Sequence, residues 1–194
     1  MTDYGGESNA KKLARVLLWD HLQHVHVASH GRILVLAGPE AGDIRTLQAL
    51  GIDPRNIVAV DTDPEHIAKS REIAPDAEYI LGDVFEAVRE FDRDTFDVMF
   101  FDFCSTVSRD TLLSCLRAAK HGLKDFGLLA IGNMYGRESA ETKKILRREL
   151  AHAKRKGIGT KINAGTKRAR FTWQQLGQIT YGTRMMVVPT CFMT

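Results

Sequence analysis

Three aspartates close three apolar, strand-like runs. Asp61 follows Asn56-Ile57-Val58-Ala59-Val60, Asp83 follows Ala77-Glu78-Tyr79-Ile80-Leu81 and Gly82, and Asp102 follows Phe96-Asp97-Val98-Met99-Phe100-Phe101. A fourth run, Arg32 to Ala37, leads into the turn Gly38-Pro39-Glu40-Ala41-Gly42. The chemistry of this set is polar recognition. A glycine turn lets the backbone approach a ligand closely, and an acid at the end of the next strand can accept both hydroxyl protons of a ribose. An acid after the strand beyond it can accept from an exocyclic amine. Aspartate is also a common helix N-cap, and for any one of the three that structural reading carries equal weight. Three in order, on successive strands, favour an adenosine-like ligand at one edge of a sheet.

The elements that must position these residues alternate in character. Ser8 to about Val27 carries Leu13, Val16, Leu17, Leu22 and Val25 at helical spacing and predicts an opening amphipathic helix. Strands are predicted at Arg32–Ala37, Asn56–Val60, Ala77–Leu81, Phe96–Phe101 and Gly127–Ile131. Helices are predicted at Asp43–Leu50, from Asp63-Pro64 onward, at Val84–Glu90, at Arg109–His121 and at Ser139–Lys156. Gln178–Tyr181 and Arg184–Val188, joined by Gly182-Thr183, read as a hairpin. The strand runs are mostly apolar, as in strands covered on both faces, so the expectation is an open, mostly parallel α/β sheet whose ligands bind outside the carboxyl ends of its strands.

The chain of 194 residues is expected to form one domain: an N-terminal helix over 1–30, a core over 31–136, a basic helix and loop over 137–170 and a closing hairpin over 171–194. With 44% hydrophobic and 26% charged residues it is too apolar for whole-chain disorder. Its apolar runs are broken by Asp well short of the roughly 20 residues that cross a bilayer. Met1 to Ala10 is polar and acidic, unlike a secretion signal, so a cytoplasmic location is expected. Cys104, Cys115 and Cys191 are odd in number and widely spaced, which suits reduced thiols. His21, His24, His26 and His30 cannot share one helix face and have no completing ligands nearby, so no metal is expected.

The net charge of +3 hides an asymmetry. Residues 1–136 hold 14 Lys and Arg against 21 Asp and Glu, residues 137–170 hold 12 against 3, and residues 171–194 hold one Arg and no acid, giving −7, +9 and +1. A strongly basic segment on an acidic body points to a polyanionic partner. Lys154, Arg155, Lys156, Lys167, Arg168 and Arg170 are followed directly by Phe171 and Trp173, the combination that offers cations to phosphates and rings to bases. The competing reading is a solvated helix face beside aromatic core anchors.

These residues resemble the class I S-adenosylmethionine-dependent methyltransferases over roughly Arg32 to Val188. Leu36-Ala37-Gly38-Pro39-Glu40-Ala41-Gly42 keeps the first and third glycines of that family's loop, and differs at Leu36 and Glu40, where the family carries an acid and a glycine. The resemblance implies a Rossmann-like, seven-stranded sheet closed by an antiparallel hairpin, with S-adenosylmethionine as cofactor. It places Gly38, Glu40, Gly42, Asp61, Thr62, Asp83, Val84 and Asp102 around the cofactor, with Asp61 on the ribose and Asp83 on the adenine amine. Glu40 could pair with the cofactor's ammonium. A nicotinamide-dependent oxidoreductase shares the early layout, but G-x-G-x-x-G is missing and the acid after the third strand is extra.

For catalysis the candidates are Asp102 and Cys104. Asp102 could orient an amine or accept a proton, and Phe103 could stack on a base or belong to the core. Cys104 suits covalent attack on a cytosine ring, but its neighbours lack the Pro-Cys context of such enzymes, and it reads better as a small semi-buried residue. The expected function is methyl transfer to nucleic acid, DNA or RNA. The alternatives are a methyltransferase of small molecules or proteins, and an inactive protein of the same fold that binds a partner.

Overall fold

The structure, a computed structural model, describes residues 31–106, 108–134, 171–181 and 184–193. In chain order the elements are β1 (Ile33–Leu36), α1 (Gly42–Ala49), a 3-10 turn (Pro54–Asn56), β2 (Ile57–Asp61), α2 (Pro64–Ile73), β3 (Glu78–Leu81), α3 (Val84–Glu90), β4 (Phe96–Thr106), α4 (Arg109–Gly122), β5 (Leu123–Met134), β6 (Phe171–Tyr181) and β7 (Arg184–Met193). The helices predicted over 8–27 and 139–156, the histidines at 21–30 and the basic residues at 137–170 lie outside the described residues.

The strands form one seven-stranded sheet in the order β3-β2-β1-β4-β5-β7-β6. β3, β2, β1, β4 and β5 run parallel, whereas β7 is antiparallel to both β5 and β6. This is the mostly parallel α/β architecture expected from the alternating pattern. The chain builds outward from β1 through β2 to β3, then returns to place β4 on the other side of β1. That reversal opens a crevice at the carboxyl ends of β1 and β4, where open α/β sheets bind ligands.

Side chains alternating along each strand feed two cores. Ile33, Val35, Ile57, Ala59, Val98, Phe100, Leu128 and Ala130 pack with Ile44 and Leu47 of α1 and Ile67 of α2. Leu34, Val58, Val60, Met99, Phe101, Leu129 and Ile131 pack with Val84, Ala87 and Val88 of α3 and Cys115, Leu116 and Ala119 of α4. All four apolar residues of β2 are buried, because both faces are covered. Burying side chains of this size contributes about 1.5–3 kcal/mol each. In the second core, burial pushes the Cys115 thiol up to about 12.

Three boundaries differ from expectation. β4 does not stop at Asp102 but continues to Thr106, and between Asp102 and Thr106 it takes four steps while β5 takes two, from Gly132 to Met134. The expected strand end at Asp102 is overridden because the aromatic and β-branched residues around it keep the chain extended through a bulge. β5 starts at Leu123, ahead of the expected Gly127, and runs to Met134. The hairpin strands are much longer than expected and include Phe171 and Trp173, which pair with Met193 and Cys191.

Candidate active site

The turn after β1 is the first wall of the crevice. Gly38 has φ 63° and Ala41 has φ 48°, both left-handed. Gly38 adopts this freely, whereas Ala41 does so at a cost of about 1–2 kcal/mol. The sequence thus keeps a glycine-type path through a residue that is not glycine, and Ala41 is fully buried. Ala41 is also the N-cap of α1, and its methyl side chain makes no cap hydrogen bond. The 3-10 turn, α2, α3 and α4 each begin on a side-chain acceptor, from Asp53, Asp63, Asp83 and Ser108. The first turn of α1 starts at buried Gly42. Glu40 is exposed, and its carbonyl accepts from Arg45 Nε at 3.3 Å.

Asp61 closes β2 on the neighbouring side, with its side chain only 16% exposed. Its Oδ2 accepts the Gly38 amide at 2.9 Å and faces His66 Nδ1 at 3.0 Å, and its Oδ1 accepts the Asp63 amide at 3.0 Å. A carboxylate only accepts, so this contact makes Nδ1 the protonated ring nitrogen. With about two acceptor positions per oxygen, Oδ2 is filled and Oδ1 has one left. As arranged, Asp61 can take one hydroxyl proton at Oδ1. Bidentate capture of a ribose requires His66 to give way. His66 was not singled out from the sequence; its only signal is its place in the first turn of α2, five residues beyond Asp61.

Asp83 does what the structural reading anticipates. It is the N-cap of α3, its Oδ1 accepting the amides of Phe85 at 2.8 Å and Glu86 at 3.1 Å. Both bonds fall on one oxygen, and among the described residues Oδ2 has no hydrogen-bond partner. Val84, the first residue of α3, is buried, and Thr62 is exposed. Beside them lies a residue the sequence reading passed over. Leu81 is 58% exposed, the one exposed large hydrophobic side chain among the described residues, and it is in register with Asp61 on β3. An apolar surface beside a hydroxyl acceptor suits a flat heterocycle joined to a sugar.

Across β1, Asp102 stands half-buried on β4 in register with Gly132 of β5. A Cβ at position 132 would lie 2.6 Å from Asp102 Oδ1, so the missing side chain leaves the carboxylate its space. Cys104 falls within the bulge that follows. Phe103 packs its ring against Phe85 at 6.0 Å and Phe101 at 5.9 Å, on the second core, so its ring is engaged within the protein. Asp43, in the first turn of α1, is only 3% exposed and is a second acid the sequence reading left out. An acid there is favoured by the helix dipole.

No family model matches the chain, and no curated protein matches it. Solved structures do. The candidate methyltransferase yhhF from Escherichia coli superposes with a TM-score of 0.61 over 98% of this chain and 90% of that one, at 12% identity. A candidate rRNA-methylase from Clostridium thermocellum gives 0.60 over 96% and 98%, at 14% identity. A SAM-dependent methyltransferase from Archaeoglobus fulgidus gives 0.57 over 92% and 93%, at 10% identity. The chain has the Rossmann-like fold of the class I S-adenosylmethionine-dependent methyltransferases.

Proposed function

We propose that the chain is an S-adenosylmethionine-dependent methyltransferase that acts on nucleic acid. The observation that carries the cofactor reading is the Gly38 amide bound to Asp61 at 2.9 Å, in the turn that leads into α1. It joins the turn that must admit a ligand to the acid that must hold its ribose. These residues fit the cofactor: Asp61 Oδ1 retains an acceptor position, Asp83 Oδ2 can accept from the adenine amine, and exposed Leu81 offers apolar surface to the base. Gly38, Gly42, Thr62 and Val84 would line the same edge, and Glu40 can meet the ammonium from its exposed position.

When bound, S-adenosylmethionine supplies an electrophilic methyl group. Asp102 orients the acceptor atom and takes up the proton it releases. Holding the two reactants in line supplies much of the rate, so few other groups are needed. Cys104 is assigned no covalent role. For the acceptor, nucleic acid is favoured by the +9 charge of residues 137–170: Lys154, Arg155, Lys156, Lys167, Arg168 and Arg170 would meet phosphates, and Phe171 and Trp173, which follow that segment, would meet bases.

Mass spectrometry of the nucleoside retained by the purified protein, followed by tritium-methyl transfer to DNA, RNA and protein pools, tests both halves. Retention with transfer to DNA or RNA is expected. Transfer to protein alone would replace the nucleic-acid reading, and retention without transfer would favour an inactive binding protein.

A further inference from the structure

We propose that Gly132 is a positioning residue, present so that the Asp102 carboxylate can hold its place at the reacting edge; this rests on the reading of Asp102 given above. Glycine within a strand is less favourable than alanine and calls for a reason. Backbone freedom is not the reason, because the positive-φ glycines among the described residues are Gly38 and Gly51. Space is. Val98 and Phe100 of β4 and Leu128 and Ala130 of β5 share the core beneath α1 and α2, and the two-residue alternation carries Asp102 and Gly132 onto that same face as direct register partners.

A Cβ at 132 would meet Asp102 Oδ1 at 2.6 Å, Cγ at 3.2 Å and Cα at 3.3 Å. The two longer contacts are tight but yield to small shifts. The first does not, so the carboxylate must rotate to another rotamer. The strand pairing would survive while the acid moved. The β4 bulge begins directly after Asp102, so Gly132 fixes the acid's direction at the last regular pair before the strand changes course.

The test compares Gly132→Ala, Asp102→Ala and the double variant for cofactor affinity, single-turnover methyl transfer and thermal midpoint. Gly132→Ala should bind S-adenosylhomocysteine within about twofold of wild type and transfer methyl groups about ten- to a hundredfold more slowly, as expected for a reacting group displaced by about 1 Å. The same substitution should lower the thermal midpoint when Asp102 is present, and leave it unchanged or raise it when residue 102 is alanine. A wild-type transfer rate in Gly132→Ala overturns the proposal, as does an equal thermal loss in both backgrounds. The thermal cycle reads the pair whether or not the chain transfers methyl groups. A wild-type protein that neither binds the cofactor nor turns over therefore refutes the methyltransferase reading separately, while the cycle still decides the coupling.

Discussion

The amide of Gly38 donates to the side chain of Asp61 at 2.9 Å, on the same oxygen that His66 reaches at 3.0 Å. Asp61 therefore ties the β1 turn to the end of β2 in addition to any role toward a ribose. Asp61→Ala should weaken S-adenosylhomocysteine binding by at least about 1.5–3 kcal/mol and also lower the thermal midpoint of the free protein. Calorimetry and thermal denaturation check the two effects; unchanged affinity removes Asp61 from the site.

Asp83 serves the fold through Oδ1, and its second oxygen is free to serve the ligand, so alanine alone cannot separate the roles. Asp83→Ala should cost about 0.5–2 kcal/mol of stability through the lost cap. Asp83→Asn keeps a capping oxygen and should remain near wild-type stability, yet bind the adenine less tightly because the charge is gone. Urea denaturation beside nucleoside titration distinguishes the two variants.

Turnover should depend on Asp102 and not on the thiol two residues later. Asp102→Ala is expected to lose methyl transfer far more than cofactor affinity, whereas Cys104→Ser should retain activity. Loss of all transfer in Cys104→Ser would establish covalent chemistry instead.

Tyr79 gives the fold an alkaline limit. Its hydroxyl donates to the carbonyls of Ser70 at 2.6 Å and Ala74 at 3.0 Å, closing the end of α2, and burial pushes its pKa from 10 up to about 12. The folded chain holds this proton over a range in which the unfolded chain has released it. The stability it brings is therefore complete below pH 10 and is lost as the pH rises to 12. Tyr79→Phe should lower stability by about 1 kcal/mol at neutral pH and flatten the decline above pH 10. Denaturant midpoints measured across that range check it.

Nucleic-acid affinity should fall steeply with salt, with a log-log slope of about −0.9 per phosphate contact for a duplex and −0.7 for a single strand. Reversing Lys154, Arg155 and Lys156 to Glu should weaken binding to all sequences and flatten the slope. Replacing Phe171 and Trp173 with Ala should reduce affinity at constant slope. Salt-independent binding would move the basic segment to a protein interface.

The sheet was legible because its central strands β1 and β2 are short apolar runs that stop at Gly38 and Asp61, and Val84–Glu90 has the bounds expected of it. β4 was not, because a single aspartate looks the same at a strand's end as inside a strand approaching a bulge. Asp61 and Asp83 looked alike for a similar reason: whether an acid reaches across to another strand or caps its own helix depends on tertiary geometry. His66 and Leu81 were missed because neither type is unusual at its position. Only the pairing of β2 with β3 sets Leu81 beside Asp61, and only the start of α2 brings His66 to it.

A ligand at the start of α1 would couple occupancy to folding. The N-cap residue of α1, Ala41, offers a methyl group where other helices offer an oxygen, so a ligand that accepts from the opening turn completes the helix as well as filling the site. Such a ligand binds the folded chain and not the unfolded one, and at a hundred times its dissociation constant adds about 2.7 kcal/mol to stability. Amide exchange in the Gly42–Ala49 helix should then slow more on ligand addition than exchange in α4, whose first turn already has Ser108. Helix α1 is thus a built-in reporter, readable on unlabelled protein and without knowledge of the methyl acceptor.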